Sequence, residues 1–499
     1  MTPPRVSRLI PAFPTINLPM LLRVIGLLLL IEGCFLLIPF GVCLLYGEAD
    51  WRDFILTSAI TLGAGAALSF GIRPDTSFMG KREGFLLTAL VWVVLSLFGM
   101  LPFMLMETSP MSVSDAFFEA MSGFTTTGAT TMTSIMHLSH GAIVWRALMQ
   151  WIGGMGIILF TLAVVPMLNS SGGIQMFNAE VTGITHDKLR PRISQTAKSL
   201  WGIYTSLTLV LFGLLWLGPM KPFEASCYAL SVMSTGGFAT TDAGLYVWNS
   251  DYIETVVTIF MFIGGVSFTL IYRAVMRDFR GVWRNDVFRT YVAIIALCYA
   301  AFALNILLRG QATTLKSVTL DPLFQIVSLI SSTGFEVADF GSWGTFALSV
   351  GIVLMFFGAC AGSTSGGAKI DRLIFMLKNC RNEIERCIHP NNILTVRVNG
   401  IVIPHDTVGK VTAFLCLYVL IIAGGGIILT ALGMPLVDAF FSAFTCISNT
   451  GLTAGITGYG GTFAIVPDAG KWILSFIMLT GRLEIFTVLL LFLPGFWKK

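Results

Sequence analysis

The 499-residue chain is 55% hydrophobic and only 12% charged, with 51 glycines and a formal net charge of +4. A soluble domain carries about 25% charged residues, so much of the polar surface that would keep this chain in water is missing. That excludes a soluble enzyme, a nucleic-acid-binding module and a disulfide scaffold, and the small net charge implies no polyanionic partner. The chain reads as an all-α polytopic membrane protein.

Arg5, Arg8 and Arg23 precede an apolar run from Leu27 to Tyr46. It is longer than a signal-peptide core and has no clean small-residue cleavage site, so it is expected to stay as a first span. Taking about 20 apolar residues per crossing, ten stretches follow in chain order: 21–46, 54–72, 84–106, 143–167, 199–218, 252–276, 288–308, 344–376, 407–432 and 471–495. With ten spans and both termini on one side, 24 of the 31 basic residues fall on that side, which the positive-inside rule makes cytoplasmic. The arginine-rich connection at 273–289 is then expected to mark topology. The external side holds 15 carboxylates, among them Glu119, Asp115, Asp251, Glu254, Asp321 and Asp438, and should concentrate cations. Nine scattered cysteines without a CxxC are expected to be small buried hydrophobes.

Four shorter half-apolar segments lie between spans: DAFFEAMSGFTTTGAT at 115–130, FEASCYALSVMSTGGFAT at 223–240, DPLFQIVSLISSTGFEVAD at 321–339 and DAFFSAFTCISNTGLTAG at 438–455. Asp115 to Gly128, Phe223 to Gly236, Asp321 to Gly334 and Asp438 to Gly451 are each 13 residues. About ten residues cannot cross a bilayer, and irregular backbone at membrane depth must line a wet cavity or be buried in protein. The repeat unit is therefore span, short re-entrant helix, loop, span. An aspartate should N-cap each short helix, and the partially negative C-termini should converge on one axis, where they suit a cation. Glycine permits the backbone to turn successive carbonyls to that axis, and Thr127, Thr235, Thr333 and Thr450 can add hydroxyls or pin the loops.

Two obstructions are expected beyond these loops. The eighth stretch contains Gly358-Ala-Cys-Ala-Gly-Ser-Thr-Ser-Gly-Gly-Ala-Lys369, whose glycines and serines should break the helix at mid-membrane; close helix packing is the alternative. Arg482 lies 11 residues into the last stretch counted from Lys471, a depth at which a charge must face water or a partner. Glu484, about 200° further round a helix, should meet a different helix. His137 and His140 form an HxxH that carries little metal signal, and Walker, HExxH and GxGxxG motifs are lacking. No cofactor or enzymatic activity is expected. A secondary transporter with inverted repeats also uses broken helices, but these units run in parallel.

The segments SGFTTTGAT, MSTGGFATTDAG, SSTGFEVADF, SNTGLTAG, GACAGSTSGGAK and LTGRLEIFT, in that order, resemble the Trk/Ktr/HKT superfamily of potassium transporters, and its Trk-type membrane subunit in particular. The resemblance covers essentially the whole chain. It implies four pseudo-symmetric helix, pore-helix, helix repeats around one pore at 81–180, 181–282, 283–385 and 386–499, behind a two-span hairpin at 1–80. It implies a potassium filter of Thr126, Thr127 and Gly128, of Ser234, Thr235 and Gly236, of Ser332, Thr333 and Gly334, and of Asn449, Thr450 and Gly451. It further implies a gate built on Gly358, Gly362, Ser363, Thr364, Ser365, Gly366, Gly367 and Lys369, with Arg482 an electrostatic obstacle to cations. Potassium uptake across the cell membrane is the implied function, by a homodimer with a cytosolic nucleotide-binding regulatory subunit. Sodium or other monovalent transport, or ion-coupled symport, is the alternative.

Overall fold

A computed structural model of the chain describes residues 16–72, 80–156, 193–310, 314–337, 343–392, 394–452 and 461–497. Among the described residues six helices are long and apolar enough to cross a membrane: Leu18–Tyr46, Trp51–Gly71, Arg82–Leu105, Ala197–Leu217, Asp286–Leu308 and Thr407–Ala431. Two further pairs reach that length only if counted across a bend, Asp251–Gly264 with Phe268–Val275 at 106° and Asp468–Arg482 with Phe486–Phe492 at 114°. The fourth expected stretch begins as the helix His140–Gly154 and continues outside the described residues; the eighth is split into Thr345–Phe357 and Ile370–Ile388.

Single crossings are expected at 252–276 and 471–495, and here the structure differs. Gly264 and Gly265 stand at the first bend, and glycine is a poor helix former. The second bend follows Arg482, with Glu484 and Ile485 at φ of 54° and 55°. Helices Asp251–Gly264, Thr345–Phe357 and Asp468–Arg482 all end at a break, so the interruption is not peculiar to the eighth stretch.

Two apolar clusters fill the interior. One joins the N-terminal hairpin to residues of the first and fourth units, including Leu29, Trp92, Phe124, Trp145, Ile447 and Met478. The other includes Tyr228, Met261, Tyr291, Ile330 and Val411. Within the hairpin, helix Leu18–Phe35 and helix Trp51–Gly71 touch backbone to backbone, since a Cβ on Gly26 would lie 2.6 Å from the Ser69 nitrogen. Such small-residue contacts let helices associate where lipid tails provide no hydrophobic drive. Cys43, Cys227, Cys360 and Cys446 are buried as expected, whereas Cys34, Cys380, Cys387 and Cys416 face outward.

Candidate functional site

The four short segments form helices Val113–Phe124, Pro222–Met233, Leu315–Ile330 and Leu436–Ser448. Their acidic residues are not N-caps. Ser112 caps the first helix and Pro435 occupies that place in the fourth, leaving Asp115 and Asp438 in the first turn, where a carboxylate still favours the positive end of the helix dipole. The third helix starts earlier, capped by Thr314, which places Asp321 inside it. Burial pushes the Asp321 carboxyl up to about 6, with the Glu254 charge adding to the effect.

Each helix ends in the same turn. The amides of Thr127, Gly236, Thr333 and Thr450 donate to the carbonyls of Ser122, Ser231, Ser328 and Thr445 at 2.9, 2.9, 2.9 and 3.1 Å. Thr126, Thr235, Ser332 and Asn449 have φ of 50–55°, and Gly128, Gly237, Gly334 and Gly451 have φ of 78–84°. The left-handed glycine of the second loop is therefore Gly237 and not Gly236, which corresponds to Thr127, Thr333 and Thr450. The expected triplet Ser234, Thr235 and Gly236 moves by one to Thr235, Gly236 and Gly237. This register also gives the second repeat its carboxylate, because Glu224 lies 13 residues before Gly237.

The loops close on one another. A Cβ on Gly128 would lie 2.3 Å from the Gly236 oxygen, one on Gly237 2.2 Å from the Thr333 oxygen, one on Gly334 2.1 Å from the Thr450 oxygen, and one on Gly451 2.4 Å from the Thr127 oxygen. Loop one thus abuts loop two, two abuts three, three abuts four, and four returns to one. At these positions glycine answers two constraints, a positive φ and a neighbouring carbonyl that leaves no room for a side chain.

Hydroxyls pin three of the loops. Thr127 pairs with Thr125 at 2.8 Å, Thr333 with Ser331 at 2.7 Å and Thr450 with Ser448 at 3.1 Å. The second loop has Gly236 at that place and uses Gln150 instead. Its amide nitrogen donates to the Gly236 oxygen at 2.7 Å, and its amide oxygen accepts from the Phe238 amide at 3.2 Å and the Ser231 hydroxyl at 2.7 Å. Behind the first loop, Arg146 and Glu119 form a buried ion pair at 2.8 Å, 1% and 0% exposed. Glu119 also accepts from the Thr131 amide, Arg146 donates to the Thr130 hydroxyl, and the guanidinium lies 4.1 Å from the Phe238 ring of the second loop. Glu119, expected on the external face, instead braces the loops from within the protein together with Arg146. Glu254 and Asp438 are buried as well, so the acidic external face is smaller than expected.

The glycine-rich segment is irregular, as expected, from Gly358 to Lys369. The Gly366 amide donates to the Ser332 hydroxyl at 2.6 Å, and the Thr364 hydroxyl donates to the Gly264 and Met233 carbonyls at 3.1 and 3.3 Å. A Cβ on Gly366 would lie 2.1 Å from the Ser448 oxygen. The segment is therefore seated against the C-terminal ends of short helices two, three and four. Lys369, at the end of the segment, is buried and donates to the Ser365 carbonyl. Gly362 faces the break after Gly264, where the Phe268 amide donates to the Gly362 carbonyl at 2.9 Å, while the Ser363 hydroxyl turns back to donate to the Cys360 carbonyl at 2.6 Å.

Arg482 reaches the same region from the last unit. It donates to the Thr364 carbonyl at 3.0 Å and to the Gly153 and Gly154 carbonyls at 2.5 and 3.0 Å. Glu484 meets a different helix, pairing with Arg372, whose guanidinium lies 4.0 Å from the Phe414 ring. The expected outcome holds, but for another reason: a sharp bend carries Glu484 away, not the phase of a continuous helix. His140 pairs with Glu48 at 2.6 Å and stacks on Tyr46.

A family model described as a cation transport protein, TrkH, matches residues 52–499. The Trk system potassium uptake protein TrkH of Vibrio parahaemolyticus is 36% identical over 485 residues, covering 96% of this chain and 99% of that protein. Its counterpart from Salmonella typhimurium is 34% identical over 483 residues, with the same coverage. The crystal structure of the potassium transporter TrkH from Vibrio parahaemolyticus matches with a TM-score of 0.87 and 33% identity, covering 97% of this chain and 100% of that one. The chain belongs to the TrkH family of cation transport proteins.

Proposed function

We propose that this protein takes up potassium across the cell membrane through a single pore per subunit, with the ring of four loops as its selectivity filter. The observation that carries this reading is the closure of the ring, in which four backbones of one conformation each abut the next. Rings of backbone carbonyls can replace the hydration shell of an ion. The potassium uptake named for relatives of nearly equal length, and glycine in all four places, support potassium as that ion. The filter then comprises Thr126, Thr127 and Gly128; Thr235, Gly236 and Gly237; Ser332, Thr333 and Gly334; and Asn449, Thr450 and Gly451.

The remaining architecture follows the same reading. Four parallel repeats at 81–180, 181–282, 283–385 and 386–499 surround the pore beside a hairpin at 1–80, making ten crossings with both termini cytoplasmic. The seated segment 358–369 and Arg482 obstruct the path below the filter. Two such subunits form a homodimer, controlled by a separate cytosolic nucleotide-binding subunit.

Gly128→Ser tests the filter. A serine there must fit a left-handed backbone against the Gly236 oxygen, so the ring should widen and lose fit for potassium. Permeability to sodium relative to potassium is expected to rise in proteoliposomes, and an unchanged ratio in well-folded protein would remove loop one from the filter.

A further inference from the structure

The chain leaves the break after Gly264 at 106° to the preceding helix and runs through helices Phe268–Val275 and Phe279–Trp283 before the crossing at Asp286–Leu308. One side of this segment is anchored, with Phe268 and Leu270 buried in the interior. The other side is open. Phe279 and Trp283 are 66% and 64% exposed, and Arg273, Arg277, Arg280 and Arg284 are exposed among them. Among the described residues none of these four arginines forms an ion pair with a carboxylate. Asp278, the one acidic residue between Phe268 and Trp283, is turned to the Gly281 amide at 2.9 Å.

Topology alone would account for the positive charge. It does not account for bulky apolar side chains left exposed between the arginines on a segment whose first helix, Phe268–Val275, is bent 106° from Asp251–Gly264. Aromatic rings at the headgroup level and basic residues facing anionic lipid are the two components of an interfacial segment. The anchored end leads directly to the glycine-rich segment: besides the bond from Phe268 to Gly362, the Cys360 amide donates to the Gly265 carbonyl at 3.1 Å and the Thr364 amide to the Gly264 carbonyl at 3.3 Å.

We propose that Phe268–Trp283 binds anionic phospholipid headgroups of the cytoplasmic leaflet, and that this binding holds the glycine-rich segment in its seated, obstructing position. The second half rests on the reading of 358–369 as an obstruction. A ligand that binds the bent arrangement favours it over any other, and through three backbone hydrogen bonds the bent arrangement favours the seated segment. Anionic lipid therefore lowers flux. A bare surface-charge effect has the opposite sign, because an anionic surface concentrates potassium at the entrance.

The test uses the full-length protein in vesicles of phosphatidylcholine alone or with about one-third phosphatidylglycerol. Native mass spectrometry reads the phosphatidylglycerol retained on extraction, and potassium flux is measured on the same preparations. Arg277→Gln/Arg280→Gln is expected to weaken retention about fivefold for each arginine removed, while Arg277→Lys/Arg280→Lys keeps it. Wild-type flux should be severalfold lower with phosphatidylglycerol, and the glutamine variant should lose that decrease, its flux with phosphatidylglycerol being equal to or above that in phosphatidylcholine alone. Retention unchanged in the glutamine variant overturns the site and leaves the arginines to topology or a cytosolic protein. Retention lost, with wild-type flux indifferent to the lipid, overturns the coupling. Deletion of Gly362 to Gly366 separates the premise: higher flux upholds the obstruction, and unchanged flux sinks that reading while the retention measurement still decides the lipid site.

Discussion

Arg482→Ala is expected to raise potassium flux by about tenfold while leaving the potassium-to-sodium ratio nearly unchanged. A unit charge within roughly 6 Å of a passing cation is worth about 3 kcal/mol at an effective dielectric constant of about 20. Only part of that shows as rate where, as proposed, the glycine-rich segment also obstructs the path. The ratio is preserved because the charge discriminates by sign and the filter loops are untouched. The guanidinium donates to carbonyls of Thr364, Gly153 and Gly154, so its removal also frees one bond that holds the segment in place, and this acts in the same direction. Flux and thermal melting on one preparation check the result. Lost flux with a strongly lowered melt would instead make Arg482 a structural brace.

Arg146→Met should have the largest effect on stability. It leaves Glu119, which is 0% exposed, as a buried carboxylate without its cation, and breaking a buried pair from one side costs about 3–5 kcal/mol. Arg146→Met/Glu119→Gln removes both charges while an amide oxygen remains for the Thr131 amide, so the double variant should melt well above the single one. The first two loops lose their common support in either case, so selectivity should fall even where the double variant is stable. Equal melting of single variant and wild type would mean that the pair is not held as described.

The sequence makes the repeat legible because each short helix and its turn obey local rules. A fixed 13-residue spacing, an apolar lead-in and a terminal glycine locate all four loops. The register of the second loop is harder, since Ser-Thr-Gly-Gly offers two glycines for one left-handed position. The acidic residue decides it: Glu224 to Gly237 repeats the spacing from Asp115, Asp321 and Asp438. The interrupted helices also left a signal in the paired glycines at 153–154 and 264–265. A close approach explains the need for glycine here, as a Cβ on Gly153 would meet the Phe124 oxygen at 1.8 Å. No glycine or asparagine marks the bend at Glu484 and Ile485, which have φ of 54° and 55°, and the pair of Glu484 with Arg372 is formed only in the tertiary fold. Arg146 was equally hidden, because its partner Glu119 lies 27 positions away and only the tertiary fold brings them together.

Relative flux of potassium and sodium through the purified protein in sealed vesicles, each ion under the same gradient and with the proton gradient collapsed, tests the central claim most directly. A closed ring of four backbone loops acting as a potassium filter predicts that potassium flux is robust without a proton gradient and clearly exceeds sodium flux. Equal flux of the two ions, or potassium movement only when a proton gradient is imposed, would contradict it.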